Sequence, residues 1–364
     1  MAAPFAAAIG CLQPGIDPVF LMLLSNASEV PPAAHGMIVG GTQAGAAIGS
    51  LIIWRLGTSL PHAALIGMAG IALGCSLATP LADSFAAVLA LRCCYGLAMG
   101  MVYAYAMAAY AAKRPNKAYG AVFLIQLILS TLVSIGLPEL ELALGQQAAL
   151  GMLAIAPASA LAALLMLGAK DGPGADAAII VESRAVVPVA GWALAAATFW
   201  FICSTMLVWS SAAALATSAG IASRTIGHAV AIGSIVGALT AVAVMRDKLL
   251  FPLPVTALLS AVALASPILL TAPGEDVAFV VSIILLNIGS TAIIIRCSGL
   301  ATATSTDSRF RIFVACSHSL GLIAGPLLGS VMMALLGPAG LLFGAMIALP
   351  AGLGTVIWGV RAGS

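Results

Sequence analysis

Two charges stand where a charge is hardest to keep. Asp17 and Arg92 each sit inside a long apolar run, and an ionised side chain at the centre of a bilayer costs about 3 kcal/mol even on permissive insertion scales. Residues that bear such a cost usually bind, carry charge or hold helices together. A lone carboxylate in hydrocarbon is neutralised by a proton, whereas a nearby guanidinium favours its ionised form. A solute charge that replaced one partner would therefore link proton movement to solute movement. The other reading of the same two residues is a static pair joining two helices.

Other side chains could make a binding surface around them. Arg92, Tyr95, Met99 and Tyr103 recur at three- and four-residue spacing, and Met107 and Tyr110 continue the row. On a helix that row is one face. It suits an organic solute with an apolar or aromatic body, and equally suits ordinary helix packing with interfacial tyrosines. Gln126 and His318 lie at comparable depths in their runs and can hydrogen-bond a solute or join helices. Asn287 and Trp200 are further cavity candidates, while Trp209 and His228 read as interfacial. No nucleotide-binding glycine loop, clustered His and carboxylate set or nucleophile elbow occurs. The expectation is a protein that is not an enzyme, with no cofactor and no metal. Cys11, Cys75, Cys93, Cys94, Cys203, Cys297 and Cys316 all fall in apolar runs and read as small buried hydrophobes.

The elements that must position these residues follow from composition. Hydrophobic residues make up 62% of the chain and charged residues 7%, against about 25% charged in soluble domains. So few charges cannot cover a water-facing surface, but a bilayer accepts apolar side chains as its own. Each crossing needs about 20 apolar residues as a helix, because backbone polar groups must be satisfied within the segment. The long unbroken runs lack the alternation of a membrane β-barrel. About twelve spans are expected, near 2–24, 36–55, 62–81, 84–112, 118–137, 148–168, 188–210, 225–244, 251–271, 277–298, 311–334 and 338–360. The first lacks a basic leader and reads as a spanning helix, not a cleaved signal. The fourth and seventh are long, which predicts tilt or extension beyond the bilayer.

Loop charges set the orientation. With the N-terminus inside, the inner loops hold Arg55, Lys113, Arg114, Lys117, Lys170, Arg184, Arg246, Lys248, Arg309, Arg311 and Arg361. The outer loops hold Arg224 with Glu29, Asp83, Glu139, Glu141, Glu275 and Asp276. That is a strong positive-inside bias, with both termini cytoplasmic. The net charge of +2 is not gathered into a tract that would attract nucleic acid. Counting from the span ends places Asp17 roughly 8–10 Å and Arg92 roughly 12 Å below the outer surface. The two depths match.

The longest polar stretch, 169–187, divides the chain into an N-terminal six-helix bundle (1–168) and a C-terminal one (188–364). The halves are faintly alike. Gly45-x-x-x-Gly49 precedes Arg55 in the second span, Gly233-x-x-x-Gly237 precedes Arg246 in the eighth, and His35 and His228 stand before them. Internal repeats of this kind are common in transporters, and glycines at that spacing also serve close helix packing.

Here the chain resembles the major facilitator superfamily of secondary transporters. The resemblance covers nearly the full length as architecture. Local patterns add to it: Gly15-Ile16-Asp17 in the first span, Arg92 through Gly96 in the fourth, similar to R-x-x-Q-G with Tyr95 in the Gln place, and Lys113-Arg114-Pro115 through Tyr119-Gly120 entering the fifth. Gly321-x-x-x-Gly325-Pro326-x-x-Gly329 is similar to an antiporter pattern of the family's fifth span, but lies in the eleventh. After the second span the family's G-x-x-x-D-R-x-G is departed from, with Trp54-Arg55 where Asp-Arg would stand. The carboxylate of that inner latch is missing, so Trp54 is left to pack there and Arg55 to cap the helix end.

The resemblance implies an all-α transmembrane fold of two pseudo-symmetric six-helix bundles. It also implies a central cavity lined by spans one and four, with the solute site near the midplane. The function expected is secondary transport of a small organic solute by alternating access, with protons as the coupling ion, in a monomer in a bacterial inner membrane. A non-transporting receptor or scaffold on the same fold is the alternative.

Overall fold

The computed structural model describes residues 2–27, 35–56, 60–113, 115–167, 187–246 and 251–363. Eleven helices among them are long and apolar enough to cross a membrane, and there are twelve if the bent pair at the start is counted as one span. The chain is an integral, multi-pass membrane protein. In order the spans are α1a (Ala2–Gly10) with α1b (Gln13–Ala27), α2 (His35–Leu56), α3 (His62–Ala78), α4 (Phe85–Lys113), α5 (Pro115–Leu144), α6a (Gln146–Met152) with α6b (Ile155–Leu167), α7 (Val189–Ser218), α8 (Ser223–Val244), α9 (Leu253–Leu270), α10 (Asp276–Ala303), α11 (Ser308–Leu336) and α12 (Gly340–Gly363). The long fourth and seventh spans run 29 and 30 residues.

The first span is not the single helix that its apolar run suggests. It breaks at Cys11-Leu12 and bends by 40°. Proline chemistry accounts for the local weakness. Pro14 has no N–H for the Gly10 carbonyl four residues back, and Pro18 has none for the Pro14 carbonyl. The sixth span is interrupted at Leu153-Ala154, where Pro157 has no N–H for the Leu153 carbonyl four residues back and Ala156 N–H donates to it instead at 3.1 Å. In α9 a hydroxyl repairs the same defect: Ser266 Oγ donates to Ala263 O (2.7 Å), the carbonyl that Pro267 cannot reach.

Helix contacts repeat with an offset of six spans. α2 packs on α4 as α8 packs on α10; α1a on α6b as α7 on α12; α3 on α4 as α9 on α10. Between the halves α2 meets α11, and α5 meets α8 and α10. The segment 168–186, which covers nearly all of the expected linker, lies outside the described residues, as do the side chains of His35, Lys113 and Arg224.

Small residues bring the closest pairs together. A Cβ on Gly45 or Gly49 of α2 would strike the α4 backbone at Cys93 or Leu97, and one on Gly96 or Gly100 of α4 would strike Thr42 or Ala46. Two glycine pairs at i, i+4 spacing thus interlock, which lets backbones meet where lipid supplies no hydrophobic drive. Gly321 and Gly325 of α11 do the same against Phe199, Ile202 and Cys203 of α7. Pro326 lies within α11, and a Cβ on Gly329 would meet Leu207 at a looser 3.5 Å.

Because successive spans alternate in direction, one end of the bundle collects Arg55, Lys117, Arg246, Arg309, Arg311 and Arg361, and the other collects Asp83, Glu139, Glu141, Glu275 and Asp276. These are called the basic and acidic ends below.

Candidate functional site

The break in α1 puts a helix start in the protein interior, and α1b turns one face toward α4. Gln13, Asp17 and Phe20 share that face at i, i+4 and i+7 spacing. Gln13 Nε2 donates to Asp17 Oδ1 at 2.8 Å. The Gln43 side chain, from α2, is directed at the same carboxylate, and its Nε2 has no hydrogen-bond partner. Arg92 of α4 is 2% exposed. Its guanidinium carbon lies 4.4 Å from the Phe20 ring centroid and 4.3 Å from that of Tyr95.

Asp17 of α1b and Arg92 of α4 lie close enough to feel each other's charge. They do not satisfy each other. Asp17 Oδ2 carries no hydrogen bond, and neither do Arg92 Nε and Nη2. Buried polar groups are nearly always paired. A vacant acceptor beside two vacant donors is therefore a place where a ligand or a proton changes the energy a great deal.

Tyr95 connects this cluster to a central cavity, which it lines with Gln13, Gln43, Met99, Tyr103 and Ser319. Gly10, Cys11 and Pro14 at the break also face it. The free space is about 20 Å³, room for about one water and far too little for an organic solute. Contacts between the halves close it on both sides. Toward the basic end, Ser50 Oγ donates to Gly100 O (3.2 Å) and bonds Ser319 Oγ (2.9 Å), while Cys316 Sγ donates to Ser50 O (3.3 Å). Farther out, Trp54 packs edge-on against Phe313 of α11, ring centroids 6.3 Å apart. Arg55 is exposed in the last turn of α2. On the opposite side Trp209 Nε1 of α7 donates to Pro14 O at 2.9 Å. That carbonyl is the one Pro18 leaves free, so the α1 defect is what makes this cross-half bond possible.

The remaining candidates divide. His318 is buried and meets Tyr103 of α4 (5.8 Å between centroids) and Phe123 of α5 (5.5 Å), with Nδ1 unpartnered. It joins the two halves one residue from the cavity-lining Ser319. Gln126 is buried on α5, where its Nε2 and Ser130 Oγ crowd Gly15 of α1b. Asn287 does not line the cavity: its Nδ2 donates to Ile283 O at 2.9 Å and packs under Gly233. Trp200 pairs with Phe199, centroids 5.1 Å apart, outside the cavity wall. Trp209 is 7% exposed and serves the closure, not an interface. Gln13, Phe20, Gln43 and Ser50 were missed. The four-residue step from Gln13 to Asp17 was readable in the sequence; Gln43 and Ser50 needed the helix packing.

Comparison with solved structures places the architecture. The crystal structure described as the human organic anion transporter MFSD10 (TETRAN) superposes with a TM-score of 0.64, covering 99% of this chain and 97% of that one. The two chains share their fold over nearly their full lengths. Identity over the match is 15%, so the likeness is one of fold. No family model matches the chain, and no curated protein matches it in sequence.

Proposed function

We propose that this protein is a proton-coupled secondary transporter that moves a small organic solute by alternating access. The observation that carries the reading is the buried cluster of Asp17 and Arg92, with an acceptor and two donors left vacant, beside a cavity closed from both sides by contacts between the halves. Neutralising Asp17 with a proton, or bringing a solute charge to Arg92, changes the electrostatic balance between α1b and α4, whose side chains meet where Arg92 reaches the Phe20 ring. Opening on either side has to break that side's hydrogen bond between the halves, Ser50–Ser319 at the basic end or Trp209–Pro14 at the other. The two six-helix halves, 1–168 and 188–364, are the rocking units, with the basic end in the cytoplasm by the positive-inside rule. The neighbour of like fold is named as an organic anion transporter, and a buried guanidinium with free N–H groups suits an anion.

Reconstituted protein provides the test. Asp17→Asn removes the ionisable group while keeping size and shape. Uptake driven by an inward proton gradient is expected to fall at least tenfold. Uptake that keeps its full dependence on the gradient in Asp17→Asn excludes Asp17 as the coupling site.

A further inference from the structure

The geometry points to a planar carboxylate on an aromatic body as the solute, with its two oxygens taken on the Nε–Nη2 edge of Arg92. This rests on the transport reading above and names its substrate class.

The two unpartnered nitrogens of Arg92 are not scattered. Nε and Nη2 share one edge of the guanidinium plane, and both are empty. That edge presents two parallel N–H groups, the fork that matches the two oxygens of a carboxylate. Phe20 and Tyr95 hold the guanidinium carbon at 4.4 and 4.3 Å from their ring centroids. Rings this near leave little room for ligand atoms above the guanidinium carbon. A ligand must come in along the edge, in plane. A carboxylate does so, whereas a sulfonate or phosphate carries an oxygen out of plane toward the rings.

Beyond the anion, the route continues along Tyr95, Met99 and Tyr103, which all line the cavity. Aromatic and thioether surfaces suit a flat apolar body. Charge balance then assigns the proton. Arg92 and one carboxylate cancel, so a neutral site in hydrocarbon needs Asp17 protonated, at the Oδ2 that nothing else occupies. The groups that face Asp17 are the amides of Gln13 and Gln43, and Arg92 and Tyr95 from α4; Cys75 of α3 also faces Arg92. None of them supplies a second anion to be neutralised. One proton therefore enters with each carboxylate.

The test is calorimetry on the purified full-length protein with four probes of one size: benzoate, benzenesulfonate, benzylammonium and benzamide. Benzoate is expected to bind with about one proton taken up, and at least tenfold more tightly than the other three. Arg92→Lys keeps the charge but has no fork. It should weaken benzoate at least tenfold and lose the preference over benzenesulfonate, with a thermal melt showing the variant folded. A variant that does not fold is replaced by Phe20→Leu, which opens space over the guanidinium and should raise benzenesulfonate binding relative to benzoate. No benzoate binding, equal sulfonate binding, a preference for benzylammonium, or binding without proton uptake would overturn the assignment. The two proposals fail separately. Proton-driven uptake of another solute class retains the transporter and removes the carboxylate. Benzoate binding with no uptake in vesicles does the reverse.

Discussion

Trp209→Phe tests whether the bond from α7 to the broken first span is a closure. The variant keeps an aromatic ring but loses the Nε1–H that donates to Pro14 O at 2.9 Å. Trp209 is 7% exposed, so water does not readily replace the lost partner. A hydrogen bond of this kind contributes about 1 kcal/mol, which shifts a two-state opening about fivefold. Cys11 reports that opening. It faces the central cavity, whose free space of about 20 Å³ excludes a maleimide. In a background where Cys75, Cys93, Cys94, Cys203, Cys297 and Cys316 are replaced, Cys11, partly exposed in the closed form, is alkylated faster the more often the molecule opens. When reclosing is faster than alkylation, its rate follows the open population. The expected result is about fivefold faster alkylation in Trp209→Phe at constant pH, with unchanged circular dichroism. An unchanged rate would refute the idea that this bond holds the halves together.

Two further outcomes follow from the packing. Gly96→Val puts a branched side chain against the Thr42 backbone of α2; overpacking at such a contact costs about 1–3 kcal/mol and should lower the detergent melting temperature, while Gly74→Val on α3, where a Cβ meets nothing within 4 Å, should leave it within a degree or two. Ser50→Ala removes the hydroxyl that bridges Gly100 O and Ser319 Oγ. It should cost about 1 kcal/mol and raise Cys11 alkylation by reagents supplied from the basic end more than by reagents from the acidic end.

Much of the architecture was legible because the bilayer permits so few solutions. Runs of apolar residues, interrupted by charged turns, located every span, but the fifth, seventh and tenth helices run on past their expected ends to Leu144, Ser218 and Ala303, and the first and sixth are broken. Those breaks lie beside prolines, Pro14 and Pro18 in the first span and Pro157 in the sixth, whose effect on a carbonyl four residues away is invisible to a sliding measure of hydrophobicity. Asp17 and Arg92 were legible for the opposite reason, as exceptions to the apolar rule. Their vacant edges were not, because an unmade hydrogen bond depends on side chains from α1b, α2 and α4 together. Contacts between the halves were hidden altogether: Ser50 and Ser319 are 269 residues apart. Trp54 is the intermediate case. Its sequence showed a missing carboxylate, and its partner Phe313 became apparent only with α2 set against α11.

The measurement closest to the central claim separates coupling from solute binding in one preparation. Vesicles containing wild-type protein or Asp17→Asn are assayed for two activities. One is uphill accumulation of labelled benzoate driven by a proton gradient. The other is exchange of labelled for unlabelled benzoate without a gradient, which needs no net proton movement. The account predicts both in the wild type, and in Asp17→Asn exchange that persists while accumulation is lost. Uphill accumulation of wild-type size in Asp17→Asn, beyond the passive entry of benzoic acid into protein-free vesicles, would contradict it.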